Sequence, residues 1–448
     1  MQTVVVGAGP TGLFTAIALA RRKQEVLVVD RDPGPAPDGG WQRRGVMQFE
    51  HAHSFRGPVV DALHAEIPDA VGLLETSGAT VVSDPHGSPI VLHARRALFE
   101  RVLRRIASRQ RGLTVATSNV RAVRRDRGRG VGIDTTTSHI SADLVIDASG
   151  RASRFSREFR GTGEGAPCGA AYVSRQYRLT ADPGPLNSPV GLSLSLAGYF
   201  AVVFLHDNRT FSIVVAHDGT DPRMRRLRDS AVFEAAARAI PLVAEWIEPE
   251  RATPLTPVLL GGQLYNSYHP QTKGRGDPLL PGLVRVGDSV CTTTPLAGRG
   301  VALAFRQAQA LVDAVTRHPR DHVSATAEFD QWCDVHLRPW FVDHMHCDTE
   351  RLRRWSGGDV DLTRPLPSDL VVAAAQADPA LRDAAAPYER MAALPDSLDR
   401  LQDRAAAVYA AGWRPPVASG ATRDELGELC CDAQTARGQW ATGQPCPV

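Results

Sequence analysis

Lysine is nearly missing from this 448-residue chain: of its 51 basic residues only Lys23 and Lys273 are lysines, and the rest are arginines. Arginine stays protonated, so chemistry that needs a Schiff-base amine or a titrating ammonium is confined to those two positions. An excess of charge of one sign is also missing. Basic and acidic residues number 51 and 49, a net +2, which excludes a strongly basic nucleic-acid binder and an acidic disordered tail. No apolar run of about 18 residues is present, so no membrane span is expected. The seven cysteines have no paired spacing beyond the adjacent Cys430 and Cys431; this usage suits a reducing compartment, and the thiols are read as free. A strand-like run already starts at Thr3 and leaves no room for a secretory leader, so a cytoplasmic location is expected. At roughly 150 residues per domain the length allows about three structural units.

What is present begins at once. Thr3-Val4-Val5-Val6, then Gly7-Ala8-Gly9-Pro10-Thr11-Gly12, then Leu13 to Arg22 read as strand, glycine turn and helix. Gly7 permits the tight turn, Gly9 lets backbone approach a pyrophosphate, Gly12 lets helix and strand pack closely, and the helix N-terminus offers free N–H groups to the phosphates. A second run, Glu25 to Val29, ends in Asp30, where such a unit takes hydrogen bonds from an adenosine ribose. Dinucleotide binding is expected. Gly128, Gly130 and Gly132 lie between strand-like runs with no helix after them and read as a hairpin tip, so one dinucleotide has a dedicated fold.

Two later motifs choose the cofactor. Leu144-Val-Ile-Asp147-Ala-Ser-Gly150 is a buried strand ending in an acid and a small-residue turn, and Leu283 to Ser289 repeats the pattern around Gly287-Asp288. Pro295-Leu-Ala-Gly298-Arg299-Gly300 then leads into a helix over Val301 to Val315. In this order the motifs resemble the FAD-dependent monooxygenases of the para-hydroxybenzoate hydroxylase fold, over roughly residues 1 to 345. The resemblance implies an α/β fold: a Rossmann-type FAD-binding domain, a mixed β-sheet substrate domain and a helical C-terminal region. The expected FAD-binding domain is discontinuous, residues 1–75, 95–160 and 281–345, with the substrate domain at 76–94 and 161–280. Residues 346–448 form the C-terminal region, whose stretch from Gly412 is rich in Gly, Pro, Ala and Thr and is expected to be partly disordered.

The resemblance also implies roles. Asp288 binds the ribityl chain of FAD, and Pro295 to Gly300 lies against the isoalloxazine ring, where a helix N-terminus stabilises the anion formed on two-electron reduction. Arg43-Arg44-Gly45-Val46-Met47-Gln48, followed by His51-Ala52-His53, is similar to a Gly-Val-Pro-Gln…His-x-His signature of a bacterial branch, many of whose members hydroxylate or epoxidise secondary metabolites. Met47 stands where that branch has proline. Arg96-Ala-Leu-Phe99-Glu100-Arg-Val-Leu103-Arg104 looks like the family's helix whose first arginine lies near the cofactor phosphates or adenine; helical spacing buries Phe99 and Leu103. The implied cofactor-binding set is Gly7, Gly9, Gly12, Asp30, Arg31, Arg43, Arg96, Asp288, Pro295, Gly298 and Gly300.

Between Gly165 and Pro281 the pattern turns to strands, Gly191 to Gly198, Tyr199 to His206 and Thr210 to His217, with a hairpin turn at Asp207-Asn208. A sheet lying over the ring supplies the dry cavity that an oxygenating flavin needs. Along Tyr172 to Tyr177 alternate residues share a face; Arg175 and Tyr177 are candidate substrate contacts, with cross-strand packing as the competing reading. His53 is a third candidate, facing flavin or substrate, or else a satisfied structural histidine. Residues 225 to 247 read as one amphipathic helix, and Trp332, Trp340, Phe341 and Trp355 as a packed stripe. His344-Met-His346-Cys347-Asp348 sits in a helical stretch where residues two apart do not share a face, so no metal is expected. No catalytic side chain is assigned, because reduced flavin and oxygen form the C4a-hydroperoxide while the protein supplies shape and dryness. The expected activity is hydroxylation or epoxidation of an apolar or aromatic small molecule by molecular oxygen, with NAD(P)H as reductant, directly or through a separate flavin reductase. The alternative is a FAD-dependent reductase of the same fold, like the geranylgeranyl reductases. A flavin-dependent halogenase is disfavoured, because the chain lacks that group's Trp-x-Trp-x-Ile-Pro stretch and a suitably placed lysine. A flavin-binding protein without turnover is the remaining reading.

Overall fold

The protein is described from a computed structural model, which covers residues 2–37, 39–43 and 45–431. Strand β1 (Gln2–Val6) runs through the glycine turn into helix α1 (Pro10–Arg21), and β2 (Glu25–Asp30) returns beside it. Then come α2 (Arg96–Ala107), β3 (Leu113–Thr117) and β4 (Leu144–Asp147). The middle of the chain holds β5 (Ala170–Leu179), β6 (Gly191–Leu196), β7 (Tyr199–Leu205), β8 (Thr210–Asp218), α3 (Ser230–Arg238) and β9 (Ala252–Pro254). After β10 (Leu283–Arg285) the chain is helical: α4 (Gly300–Arg317), α5 (His322–His336), α6 (Arg338–Trp355), α7 (Ser368–Ala374), α8 (Ala380–Glu389) and α9 (Gln402–Ala410).

The first sheet is parallel, in the order β10-β4-β1-β2-β3. Val4, Val5 and Val6 are buried without alternation because both faces of a parallel sheet are covered. α1, rich in Ala and Leu with Pro10 at its first position, is buried over nearly its whole length. Its Phe14 stacks on Phe305 of α4 at 4.4 Å, and Phe99 of α2 stacks on Phe55 at 4.3 Å, so α1, α2 and α4 share one apolar core. α7, α8 and α9 pack into that same core. α6 runs without a break across residues 345 and 346.

The second sheet has the order β6-β7-β8-β5-β9, and every pairing in it is antiparallel rather than mixed. The reason is local: β7 and β8 are joined through Asn208 and Arg209, both at left-handed φ, and a two-residue turn can connect only antiparallel neighbours. One face, including Val173, Tyr177, Tyr199, Val203 and Ile213, packs on Phe233 of α3 and on Trp246. The expected single helix over 225–247 is broken into a 3-10 turn (Arg223–Arg228), α3 and a short helix (Pro241–Ala244). Asp229 caps α3 by accepting from the Ala231 N–H, and Pro241 cannot donate within a continuing helix.

Residues 412–431 follow the edge of this sheet. The Ala418 and Arg423 N–H groups donate to Ser195 and Ala197 carbonyls, each at 2.8 Å, and a helix over 423–431 inserts Leu426 and Cys430 into the core behind the sheet. A charged pair of links pins this segment, since the buried Asp221 accepts from both Arg223 and Arg423. Of the stretch expected to be partly disordered, 412–431 is thus ordered by pairing and burial, and 432–448 lies outside the described residues. Among the described residues no helix is long and apolar enough to cross a membrane.

Candidate active site

The carboxyl ends of β1, β2, β4 and β10 meet at the N-terminus of α1. Gly7 has φ +109°, a conformation open to glycine, and a Cβ on Gly12 would be driven into the Gly7 carbonyl oxygen, so helix and strand approach as the glycine turn requires. Gly9 is the helix N-cap, and the guanidinium groups of Arg43 and Arg96 reach to 3.7 and 4.0 Å of where its Cβ would stand. Two cations therefore flank an end of α1 that already carries partial positive charge, an arrangement suited to a pyrophosphate.

Asp30 is nearly used up by protein donors. One oxygen accepts from the Ala8 N–H at 2.5 Å and from Arg43, and the other accepts from the Asp32 N–H at 2.8 Å. A carboxylate has about four acceptor directions, so one is left for a ribose hydroxyl. Arg43 also donates to Glu100, which takes Arg96 Nε on its other oxygen at 2.6 Å. Glu100, fully buried, thus holds the two arginines side by side. Its i, i+4 spacing from Arg96 was the available signal, and no role was read from it. Arg31 lies with its guanidinium over Gly45 rather than at the glycine turn.

Further along the cleft, Asp147 accepts from the hydroxyls of Ser149, Ser153 and Ser156 and from the Ser149 N–H, which fixes the turn after β4. Gly287 packs against Thr11 of α1, which sets Asp288 beside the helix N-terminus. Solvent reaches the Asp288 side chain, yet surrounding protein raises its pKa through burial, while the charges of Arg96 and Arg151 pull the other way. Past Asp288, Pro295–Ala297 forms a 3-10 turn, capped by the Thr294 hydroxyl, that leads to the N-terminus of α4 at Gly300. These residues fit FAD: a cationic phosphate end, a carboxylate for the ribityl chain, and a turn with glycines at 298 and 300 for a flat ring.

The segment 50–52 lies on the free face of the antiparallel sheet. Gln176 donates to the Glu50 carbonyl, His51 Nδ1 is 2.7 Å from Ser174 Oγ, and its ring meets Tyr172 edge-on. Burial pushes the His51 imidazole down to about 4. His53 turns back toward the cleft, with Nδ1 2.9 Å from the His51 carbonyl and its ring over Phe55. Burial, reinforced by the Arg96 charge, pushes it down to about 3. His53 is therefore a neutral donor–acceptor near the cofactor end and not a cation.

Arg175 and Tyr177 are not brought to this cleft. Both point to the opposite face of the sheet, where Arg175 Nη1 and the Tyr177 hydroxyl donate to the same Glu234 oxygen on α3, at 2.8 and 2.6 Å. The side chains on the cofactor side are their neighbours Tyr172, Ser174 and Gln176. Over that face, Tyr172, Val214, Ala216 and Leu264 form an apolar cluster against which Ala52, Phe200, Phe204, Leu296 and Trp355 pack half-buried. Leu296 belongs to the turn Pro295–Ala297 and Trp355 ends α6, so this apolar cluster lies between turn and sheet. Lys23 and Lys273 are exposed, and neither stands in it.

Residues 2–154 match the profile of FAD dependent oxidoreductases. Kynurenine 3-monooxygenase of Salinispora tropica is 25% identical over 73% of this chain and 75% of its own length. Among solved structures, PqsL, a probable FAD-dependent monooxygenase from Pseudomonas aeruginosa, superposes with a TM-score of 0.59 at 16% identity, covering 80% of this chain and 98% of PqsL. The flavin-dependent brominase Bmp2 gives 0.60 at 14% identity, covering 98% of this chain and 100% of Bmp2. The chain has the fold of the FAD-dependent monooxygenases and carries a FAD-dependent oxidoreductase domain. It is an enzyme, a FAD-dependent oxidoreductase.

Proposed function

We propose that the protein is a monooxygenase that hydroxylates or epoxidises an apolar or aromatic small molecule of secondary metabolism, with molecular oxygen and NAD(P)H. In this reading Gly7, Gly9, Gly12, Arg43 and Arg96 hold the FAD pyrophosphate, Asp30 the adenosine ribose, Asp288 the ribityl chain, and Pro295, Gly298 and Gly300 the ring. Bound FAD supplies the redox chemistry with oxygen. The chain's own residues bind, orient and keep water out.

The observation that carries the substrate class is the apolar cluster between the 295–300 turn and the sheet. Phe200, Phe204, Leu296 and Trp355 border it half-buried, which favours a ligand held by area and shape. His53, neutral, has its Nδ1 committed to the His51 carbonyl; its other ring nitrogen is the polar group we assign to orienting a substrate hydroxyl or carbonyl. The apolar residues would also keep water away from the reacting atoms.

The test is the visible spectrum of purified protein reconstituted with FAD, recorded anaerobically before and after NADPH and then with oxygen. Loss of the flavin band with NADPH and its return with oxygen are expected, followed by incorporation of one oxygen atom into an aromatic or olefinic screen compound. A flavin bleached only when a flavin reductase is added assigns electron delivery to a partner. Saturation of an olefin without oxygen incorporation replaces monooxygenase with reductase. Failure to bind FAD overturns the reading.

A further inference from the structure

The turn Thr294–Gly300 is clamped from three sides. The Thr294 N–H donates to Asn266 Oδ1 at 2.6 Å, and Asn266 Nδ2 donates to Asp348 of α6 at 2.8 Å. Arg299 lies between the rings of Trp340 and Tyr388, 4.8 and 4.5 Å from their centroids, donates to the Tyr388 hydroxyl at 2.8 Å, and has Asp343 of α6 at 3.4 Å. Arg56 Nη2 donates to the Ala297 carbonyl at 2.9 Å, its Nε to the Gly298 carbonyl at 3.2 Å, and its Nη1 to the Glu389 carbonyl at 3.2 Å.

Two consequences follow from Arg56. In a trans peptide the carbonyl and the next N–H point in opposite directions, so drawing the Gly298 carbonyl to Arg56 turns the Arg299 N–H the other way. Among the described residues that N–H has no acceptor. The second consequence is charge. All three hydrogen bonds of Arg56 go to neutral carbonyls; Arg299 has Asp343 at 3.4 Å, while the Glu389 carboxyl acts on both arginines from beyond ion-pair distance. Burial and the charge of Arg299 push the Arg56 guanidinium down to about 10, so it still carries its proton at neutral pH.

We propose that Arg56 is a positioning residue of the cofactor turn: it aims the Arg299 N–H at the flavin and, with Arg299, sets two guanidinium charges closer to the turn than the carboxylates that face them, which makes the bound flavin easier to reduce. This rests on the assignment of Pro295 to Gly300 to the ring. Two electrons and one proton leave the ring with one negative charge, and a nearby buried cation stabilises that state over the oxidised one.

The experiment is the two-electron midpoint potential of the FAD-loaded protein, titrated anaerobically with dithionite against a reference dye, for wild type, Arg56→Met, Arg56→Lys and Asp343→Asn. Arg56→Met is expected to move the midpoint more negative, Arg56→Lys to fall between it and wild type, and Asp343→Asn, which removes a negative charge and keeps both cations, to move it more positive. Mere loosening of the turn shifts both kinds of variant in one direction, so shifts of the same sign overturn the proposal, as does an unmoved midpoint in Arg56→Met. If Arg56→Met does not fold, the opposite signs of Arg56→Lys and Asp343→Asn decide it. A wild-type chain that takes up no FAD overturns the site assignment and this proposal with it, whereas FAD bound at an unaltered midpoint in every variant overturns this proposal alone.

Discussion

Replacing Glu100 with glutamine tests whether the cofactor cleft is held together by the carboxylate beneath it. Glu100 is fully buried; Arg43 and Arg96, which take its two oxygens, are 5% and 15% exposed. Removing one partner of a buried pair costs about 3–5 kcal/mol, because the other charge is left without compensation. Two features reduce that here: Arg43 keeps its bond to Asp30, and the glutamine carbonyl still accepts one hydrogen bond. The expected loss is therefore about 2–3 kcal/mol for the apoprotein, tenfold or more in its folding equilibrium. With FAD bound, the two phosphate charges compensate the arginines, so the loss shrinks. The assay is urea unfolding of apo and FAD-loaded forms of wild type and Glu100→Gln, followed by tryptophan fluorescence. An apo variant within about 0.5 kcal/mol of wild type, the spread of ordinary surface changes, refutes the compensation argument, as does an equal loss in both forms.

Gly12→Ala forces a Cβ into the Gly7 carbonyl and is expected to abolish FAD retention, read as the ratio of flavin to protein absorbance in the purified protein; retention at wild-type level contradicts the packing described. Tyr177→Phe is expected to cost about 1.5–3 kcal/mol, one hydrogen bond to a charged acceptor, and to leave FAD content unchanged, because Tyr177 faces α3 and not the cleft; loss of flavin in that variant places it in the site after all. His51, about 4 when folded against an ordinary 6.5, binds a proton more readily in the unfolded chain. Its contribution is complete above pH 6.5 and is lost as pH falls from there toward 4, at up to about 1.4 kcal/mol per pH unit. Urea midpoints at pH 7.5 and 5 are expected to differ less in His51→Asn than in wild type, and an unchanged difference removes His51 as the cause.

The cofactor end of the molecule was legible because its signals are local. A β-branched run, three glycines and a helix lie within the first 22 residues, Asp30 and Asp147 end strands that are read from short runs, and Asp288 stands in the turn that follows a third. The direction of α2 and the burial of Phe99 and Leu103 follow from helical spacing alone. Arg175 and Tyr177 show where such reading stops. Period two says that Tyr172, Ser174 and Gln176 share one face and Arg175 and Tyr177 the other, but not which face looks at the cofactor. That was settled by α3 docking on one side, through Glu234, and by residues 50–52 docking on the other. The break within 225–247 was readable from Asp229 and Pro241, yet the amphipathic pattern across them outweighed these stop signals.

The sequence by itself determined the strand, glycine turn and helix of the nucleotide-binding unit, the hairpin at Asp207-Asn208 and the near absence of lysine chemistry, since each depends on composition or on residues close together in the chain. Only the tertiary structure decided that Glu100 joins Arg43 to Arg96, that Arg56 and Arg299 hold the turn at 295–300, and that α6 adds Trp355 to the apolar cluster beside the sheet. Those contacts join positions far apart in sequence. Their partners are chosen by which buried charge or carbonyl remains unsatisfied once the elements have packed, and no local pattern carries that information.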